Sequence, residues 1–170
     1  ELSSIIKSKN YILGNKVKIF EKNFSHFTGC SFAVGLNSGL DALIFSLISV
    51  GVKKGDYVVT TSVSAYATAL AIYHVGAIPI FLDIDVETGL ISYEELVKIA
   101  KIKKVNSLIL VHLYGRIHPK IQKIINFCKK EKITIIEDCA QSHGAKYKNL
   151  IAGSIGKVAA WSFYPTKNLG

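Results

Sequence analysis

Short apolar runs and longer amphipathic stretches follow one another along this chain, which predicts alternating strands and helices. Apolar residues at helical spacing, from Val17 to Phe27, predict a first helix that ends at Gly29. The apolar runs that we interpret as buried strands are residues 31–36, 57–61, 78–82, 107–113, 133–136 and 158–163. Because helical patterns separate most of them, we expect these strands to lie mostly parallel in one sheet.

The stretches between the strands carry signals for the starts and ends of helices. Residues 39–50 are nearly all apolar and predict a second helix, and residues 65–74 predict a third. Ser92 and Glu95 have the spacing of a capping box, which marks the start of a fourth helix. Pro119 suits the first turn of a fifth helix, because proline lacks the N–H that this turn leaves unbonded.

One long uncharged stretch, residues 57–82, could cross a bilayer by its length. It also contains several Ser and Thr residues, a His and a Pro, and a buried strand–helix–strand unit has the same composition. A chain of 170 residues corresponds to about one domain. We therefore predict a soluble α/β domain with no membrane partner.

Composition narrows the functional classes only slightly. Apolar residues make up 49% of the chain and charged residues 19%, which excludes a disordered, collagen-like or coiled-coil protein. Lys and Arg number 21 against 12 Asp and Glu, a formal charge of +9. The lysines are scattered, however, and Arg116 is the only arginine, so we predict no nucleic-acid partner.

Cysteine and histidine spacing argues against a metal site. Cys30, Cys128 and Cys139 form no C-x-x-C pair, and no two histidines have H-x-x-x-H spacing. The odd number of cysteines fits a reducing compartment, and we expect a cytoplasmic protein. The chain contains no methionine and ends on Lys-Asn-Leu-Gly, so we expect it to be a segment of a longer protein.

Polar residues that follow the strands are the candidates for chemistry, because ligands of open α/β sheets bind beyond the carboxyl ends of the strands. Residues 37–39 precede a predicted helix, whose N-terminus favours a phosphate. Asp138 follows one strand, while Ser162 and Lys167 belong to the end of the last. Singly, each has an ordinary explanation as a cap or a solvated residue. Together they supply a phosphate cup, an acid and an amine, the set that pyridoxal phosphate (PLP) requires.

Several motifs then point to a family. The most specific are residues 137–145 (EDCAQSHGA) and 161–170 (WSFYPTKNLG), and residues 32–43 (FAVGLNSGLDAL), 76–85 (GAIPIFLDID) and 111–116 (VHLYGR) accompany them in order. With these motifs the chain resembles the DegT/DnrJ/EryC1/StrS sugar aminotransferases, which are PLP-dependent enzymes of fold type I. The resemblance covers nearly the whole chain.

The resemblance implies a fold and an assembly. It implies the three-layer, aspartate-aminotransferase-like large domain with a mostly parallel sheet, of which residues 1–170 would be the N-terminal part. The small C-terminal domain would be absent from this chain. Relatives of this kind form homodimers, and an Asn beyond Gly170 would reach the phosphate of the neighbouring subunit.

The resemblance also implies roles at the cofactor. Lys167 would form the Schiff base with PLP and, once displaced, would carry the proton between substrate and cofactor. Asp138 would pair with the pyridinium nitrogen, and Gln141 would hydrogen-bond the phenolic oxygen.

The remaining implied roles concern the phosphate, the substrate and one departure from the pattern. Ser38, Gly39 and Ser162 would hold the phosphate, and Tyr164 and His143 are candidates for substrate binding. Many relatives carry a ring-stacking aromatic residue where this chain has Ala65. Either the adjacent Tyr66 stacks on the PLP ring through a shifted backbone, or the PLP ring has fewer contacts in this protein.

The function that the resemblance favours is transfer of an amino group from L-glutamate to a nucleotide-linked keto-deoxysugar. Two motifs look most like the branch acting at C3 of dTDP-3-keto-6-deoxyhexoses, and such products feed O-antigen, lipopolysaccharide or antibiotic glycans. A C4, perosamine-type aminotransferase is the nearest alternative. A PLP-dependent deoxysugar dehydratase is another, but that offshoot replaces the lysine with histidine, and Lys167 argues against it. A non-enzymatic nucleotide-binding domain stays open, although the chain has no Gly-rich fingerprint.

Overall fold

The computed structural model describes residues 2–170, which divide into two compact units, residues 2–35 and Leu36–Gly170. The first unit contains helices α1 (Leu2–Ser8) and α2 (Asn15–Thr28). Helix α2 ends at Gly29 as predicted, because this glycine takes the left-handed conformation (φ 73°) that lets the chain leave the helix.

The second unit is built on a five-stranded sheet whose strand pairs are all parallel. Its order is β2-β1-β3-β4-β7. The strands are β1 (Tyr57–Thr61), β2 (Ile78–Leu82), β3 (Val105–Val111), β4 (Thr134–Asp138) and β7 (Val158–Ala160). A short antiparallel hairpin, β5 (Lys146–Tyr147) and β6 (Leu150–Ile151), lies between the last two of them in sequence.

Helices cover both faces of this sheet and give the predicted three layers. They are α3 (Gly39–Ser49), α4 (Tyr66–His74), α5 (Tyr93–Ile102) and α6 (Ile121–Glu131). Side chains alternate along each strand, so that Ile109 packs in a core with α3 and α4 while its neighbour Leu108 packs in a core with α5 and α6. Burial of apolar side chains on both faces explains why the strands consist of continuous apolar runs.

The uncharged stretch 57–82 forms β1, α4 and β2, as the composition predicts. Among residues 2–170 the structure contains no helix with the length and apolar character needed to cross a membrane. Ser92 caps α5 by accepting a hydrogen bond from the backbone N–H of Glu95 at 3.2 Å. The reciprocal half of the capping box is replaced, because the Ser92 N–H donates to the carbonyl of Asp83 instead.

The prediction of a strand at residues 31–36 is wrong. The segment is irregular, and Phe32 and Val34 are 86% and 75% exposed. Its apolar residues alternate as in a half-buried strand, but within residues 2–170 no strand pairs with it, and the N–H of Gly35 donates to Glu21 at 2.7 Å.

Other predicted boundaries also shift. Strand β3 starts two residues earlier than predicted and stops at Val111, while β7 stops at Ala160 rather than residue 163. Helix α6 starts at Ile121, so Pro119 lies just ahead of the helix rather than in its first turn. The chain leaves regular structure early at the carboxyl ends of β3 and β7, where the candidate site residues follow.

Candidate active site

The candidate site lies at the edge of the sheet where the parallel strands end. Strand β4 ends at Asp138, and the chain leaving β7 carries Ser162 and then Lys167. Helix α3 begins at Gly39, and a Cβ atom built there would come within 2.9 Å of the Ser162 side chain. The fold therefore brings this helix start next to the exit of the last strand.

Asp138 is a buried carboxylate with a hydrogen bond at each oxygen. Thr68 Oγ1 donates to Oδ2 at 2.8 Å, and the backbone N–H of Ala140 donates to Oδ1 at 3.2 Å. Burial raises the pKa of Asp138 above its ordinary value, while these two bonds and the positive charges of Lys167 and His112 act in the opposite direction. A cation in contact with this carboxylate would stabilise its ionised form and offset the cost of burying the negative charge.

A narrow cradle separates the start of α3 from Ser162. Ser38 caps the helix by accepting a hydrogen bond from the Asp41 N–H at 3.1 Å, and its hydroxyl donates to the Asp41 carboxylate at 3.0 Å. A side chain at Gly39 would lie 3.2 Å from Ser162 Oγ and would fill the gap. The cradle therefore combines the Ser162 hydroxyl with the N-terminus of an eleven-residue helix, which together suit a phosphate, and the Ser38 hydroxyl would join them by turning from Asp41.

A cavity of about 530 Å³ includes Gln141 and Lys167 in its wall, whereas Asp138, Ser38, Gly39 and Ser162 do not line it. It is lined by Tyr114, Gly115, Gln141, Ser142, His143, Gly144, Ala145, Thr166, Lys167 and Asn168. Gln141 Oε1 accepts a hydrogen bond from the Tyr114 N–H at 3.1 Å, which fixes the orientation of the amide. Its Nε2 is then the end that can donate to a ligand.

His143 and Tyr164, the two candidates for substrate binding, occupy different places. The His143 ring packs against Trp161 and Phe163, with centroids 5.0 Å and 5.2 Å away, and it lines the cavity. Burial lowers the pKa of His143, which favours a neutral imidazole at pH 7. Tyr164 is 66% exposed and does not line this cavity.

A second buried carboxylate, Glu137, precedes Asp138. Its oxygens accept hydrogen bonds from His112 and from the backbone N–H groups of Gly153, Ile155 and Gly156, at 2.7–2.8 Å. With Cys139, His112 and Glu137 form a buried group whose N, O and S atoms, of kinds that can bind a metal, lie within 4.8 Å of one another. Because N–H groups already occupy both Glu137 oxygens, we interpret this cluster as a tether for the loop at 153–156.

The sequence analysis did not identify Thr68 as part of the site. A hydroxyl residue in the middle of the apolar helix α4 was the available signal, because a buried hydroxyl needs a partner. The position of the partner, 70 residues away, depends on how α4 packs on the sheet. Ala65 occupies the N-cap position of α4 without a side-chain hydrogen bond to the helix, and the adjacent Tyr66 is largely exposed.

Fold and site together define an α/β domain with an acid, an amine and a phosphate cradle at one sheet edge, the arrangement of a PLP-dependent enzyme. Residues 1–170 match the sequence model of the DegT/DnrJ/EryC1/StrS aminotransferase family. The chain belongs to this family, as the resemblance predicted.

Curated relatives and solved structures agree with this family. The chain is 38% identical over 169 residues to a pleiotropic regulatory protein of Geobacillus stearothermophilus, and 37% identical to the dTDP-3-amino-3,4,6-trideoxy-alpha-D-glucose transaminase of Micromonospora megalomicea subsp. nigra. Each alignment covers 99% of this chain and 45% of the relative. A DegT DnrJ EryC1 StrS aminotransferase from Brucella abortus has a TM-score of 0.93 at 35% identity, covering 99% of this chain and 46% of that one. The chain thus spans about half the length of the proteins it matches.

Proposed function

We propose that the full-length protein transfers an amino group from L-glutamate to a keto group of a nucleotide-linked deoxysugar, with PLP as cofactor. Residues 1–170 would form the N-terminal part of the PLP-binding large domain. The observation that carries the proposal is the convergence at one sheet edge of Asp138, the Gly39–Ser162 cradle and the cavity lined by Lys167.

The residues of the site fit PLP in three respects. Asp138 is buried in a position that favours a cationic partner, as a protonated pyridine nitrogen would be. The cradle suits a phosphate and would be filled by any side chain at position 39. Gln141 Nε2 is oriented to donate, as a phenolic oxygen would require.

Each residue then has a defined task. When bound, PLP supplies an electron sink for the charge that develops on the substrate carbon. Asp138 holds a proton on the pyridine nitrogen, while Ser38, Gly39 and Ser162 anchor the phosphate. Lys167 Nζ binds the cofactor at rest and, once released, moves the proton that leaves the substrate carbon.

The substrate class is proposed from the relatives. Three relatives are dTDP-linked amino sugar transaminases, at 37%, 35% and 36% identity, which favours a dTDP-linked keto-deoxysugar aminated at C3. The GDP-perosamine synthase of Escherichia coli O157:H7, 34% identical over 158 residues, supports the C4 alternative.

A dehydratase is the other alternative among the relatives. A solved E. coli GDP-4-keto-6-deoxy-D-mannose-3-dehydratase with bound hydrated PLP is 27% identical with a TM-score of 0.82. Lys167 on the cavity wall favours the aminotransferase, because its amine can carry the proton for transamination.

We also propose that the whole protein is a cytoplasmic homodimer whose products enter cell-surface or antibiotic glycans.

A substrate panel tests this proposal. Full-length protein loaded with PLP would be incubated with L-glutamate and dTDP-, UDP- or GDP-linked keto-sugars, and formation of 2-oxoglutarate and amino sugar would be followed. We expect equal amounts of both products with a dTDP-3-keto-6-deoxyhexose. Loss of the sugar hydroxyl without amino-sugar formation would instead identify a dehydratase.

A further inference from the structure

We propose that Thr68 and Ser64 are positioning residues that hold Asp138 in its ionised form and fix the direction in which its carboxylate faces. The inference deepens the proposed function and rests on it, because the group that Asp138 would face is the cofactor's pyridine ring. Its evidence is a chain of two hydroxyl groups that ends on the carboxylate.

The geometry of this hydroxyl chain is defined at both links. Thr68 is 1% exposed, and its Oγ1 lies 2.8 Å from Asp138 Oδ2. Ser64 Oγ lies 2.7 Å from the same Thr68 oxygen. Thr68 stands in the apolar helix α4 beside fully buried neighbours, so its hydroxyl bonds in an interior without competition from water.

Proton counting gives the chain a direction. A hydroxyl group has one proton to donate. If Asp138 is ionised, Thr68 must donate to it, and Ser64 must then donate to Thr68. If Asp138 is protonated on Oδ2, it donates to Thr68, and the Thr68 proton must turn toward Ser64. The ionised form therefore receives the Thr68 donor, which Ser64 supports by donating in turn to Thr68, in addition to the fixed N–H of Ala140 on Oδ1.

The hydrogen bond from Thr68 and the burial of Asp138 change the pKa of this carboxyl in opposite directions. Burial raises the pKa of the carboxyl, and the Thr68 hydrogen bond is the strongest influence that lowers it, ahead of the Ala140 bond and the charges of Lys167 and His112. Under the proposed function Lys167 would change its bonding partner when it carries a proton, whereas Thr68 is fixed in helix α4. The hydroxyl chain can thus stabilise the carboxylate throughout the reaction.

The experiment uses the full-length protein with and without PLP. The Asp138 carboxyl is followed by ¹³C NMR in the ligand-free protein, assigned by its loss in Asp138→Asn, and the cofactor's pyridine nitrogen by ¹⁵N NMR with labelled PLP. In Thr68→Val, which keeps the volume and removes the donor, we expect Asp138 to titrate at higher pH. We also expect a less protonated pyridine nitrogen and PLP binding about tenfold weaker.

Three further variants separate positioning from packing. Thr68→Ser restores the hydroxyl and should return both signals to the wild-type values. Ser64→Ala should shift Asp138 in the same direction by a smaller amount, and it tests the chain even if Thr68→Val does not fold. Thr60→Val is the matched control, because Thr60 is equally buried but donates to the carbonyl of Ile109, and it should leave Asp138 unchanged.

The outcomes distinguish this inference from the proposed function. If Asp138 titrates identically in wild type, Thr68→Val and Ser64→Ala, the positioning role is overturned, whatever the activity. If the wild type binds no PLP, the proposed function fails, while the titration of the ligand-free protein still decides the role of Thr68.

Discussion

Burial favours the protonated form of the Asp138 carboxyl, whereas the proposed chemistry requires the ionised form. Its pKa is raised by burial, so the folded state binds the proton more tightly than the unfolded chain does. For this group, stability is fully present below the unfolded value of about 3.9 and is lost as the pH rises through the raised folded value. The ionised form therefore lowers the stability of the protein without cofactor.

Asp138→Asn should reveal this conflict. The full-length, ligand-free variant should have a higher free energy of unfolding than wild type at pH 7, and the difference should narrow toward pH 4, because protonated Asp and Asn are alike in charge. Transamination should fall about a hundredfold or more, since the charge-assisted bond to the pyridine nitrogen is lost. Denaturant unfolding at both pH values and steady-state rates measure the two effects, and near-normal turnover would refute the assigned role.

At single residues, the sequence predicted where the candidate side chains lie better than it predicted their hydrogen-bond partners. Asp138, Gln141, Ser38 and Lys167 follow strand ends or begin a helix, positions that an apolar pattern locates directly. The partner Thr68 belongs to another element, and only the packing of α4 brings it to the carboxylate. A buried partner distant in sequence has no local signal.

At the level of elements, the network around Glu137 joins β4, the turn after β3 and the loop that leads into β7. The carboxylate accepts hydrogen bonds from three backbone N–H groups of residues 153–156 and from His112. Gly153 must be a glycine here, because it has a φ of 93° and a Cβ atom would collide with the Trp161 ring. This loop immediately precedes the strand that carries the site residues 162–167.

Glu137→Leu should therefore destabilise the full-length protein strongly. The substitution removes the acceptor of three backbone donors, one of them buried and two part-buried, at a cost of about 3 kcal/mol or more. Glu131→Leu, at the exposed end of α6, is the matched control and should cost little. Chemical denaturation followed by circular dichroism measures both, and equal stability of the two variants would contradict this account of the loop.

The central strands of the sheet were predicted well, whereas an irregular segment and a short hairpin were not. Continuous apolar runs predicted β1, β3 and β4 to within about two residues, because burial demands such runs. An apolar run also predicted the edge strand β2, although its Ile78 and Phe81 are about half exposed. The stretch 31–36 has a strand-like pattern but no neighbouring strand in the described residues. The hairpin β5–β6 was missed because it has only two residues on each side and no apolar run.

For the whole molecule, the proposed homodimer gives a prediction about cofactor retention. Tyr66, Tyr114 and Tyr164 remain largely exposed, as residues at an interface would be in a separated chain. If the partner subunit completes the phosphate cradle, diluting the full-length protein should release PLP as the dimer dissociates. Sedimentation across a dilution series, with cofactor absorbance read at each step, tests this, and a monomer that keeps its PLP would refute it.

The central claim is that Lys167, at the carboxyl edge of the sheet, is the residue that binds PLP covalently. Full-length protein would be incubated with PLP, reduced with borohydride, digested and mapped by mass spectrometry. We predict one modified lysine, Lys167, and no label in Lys167→Ala. Lys157 is the internal control, because it precedes β7 and so lies at the opposite edge of the sheet. Label on Lys157, or label that persists in Lys167→Ala, would contradict the assignment of the site.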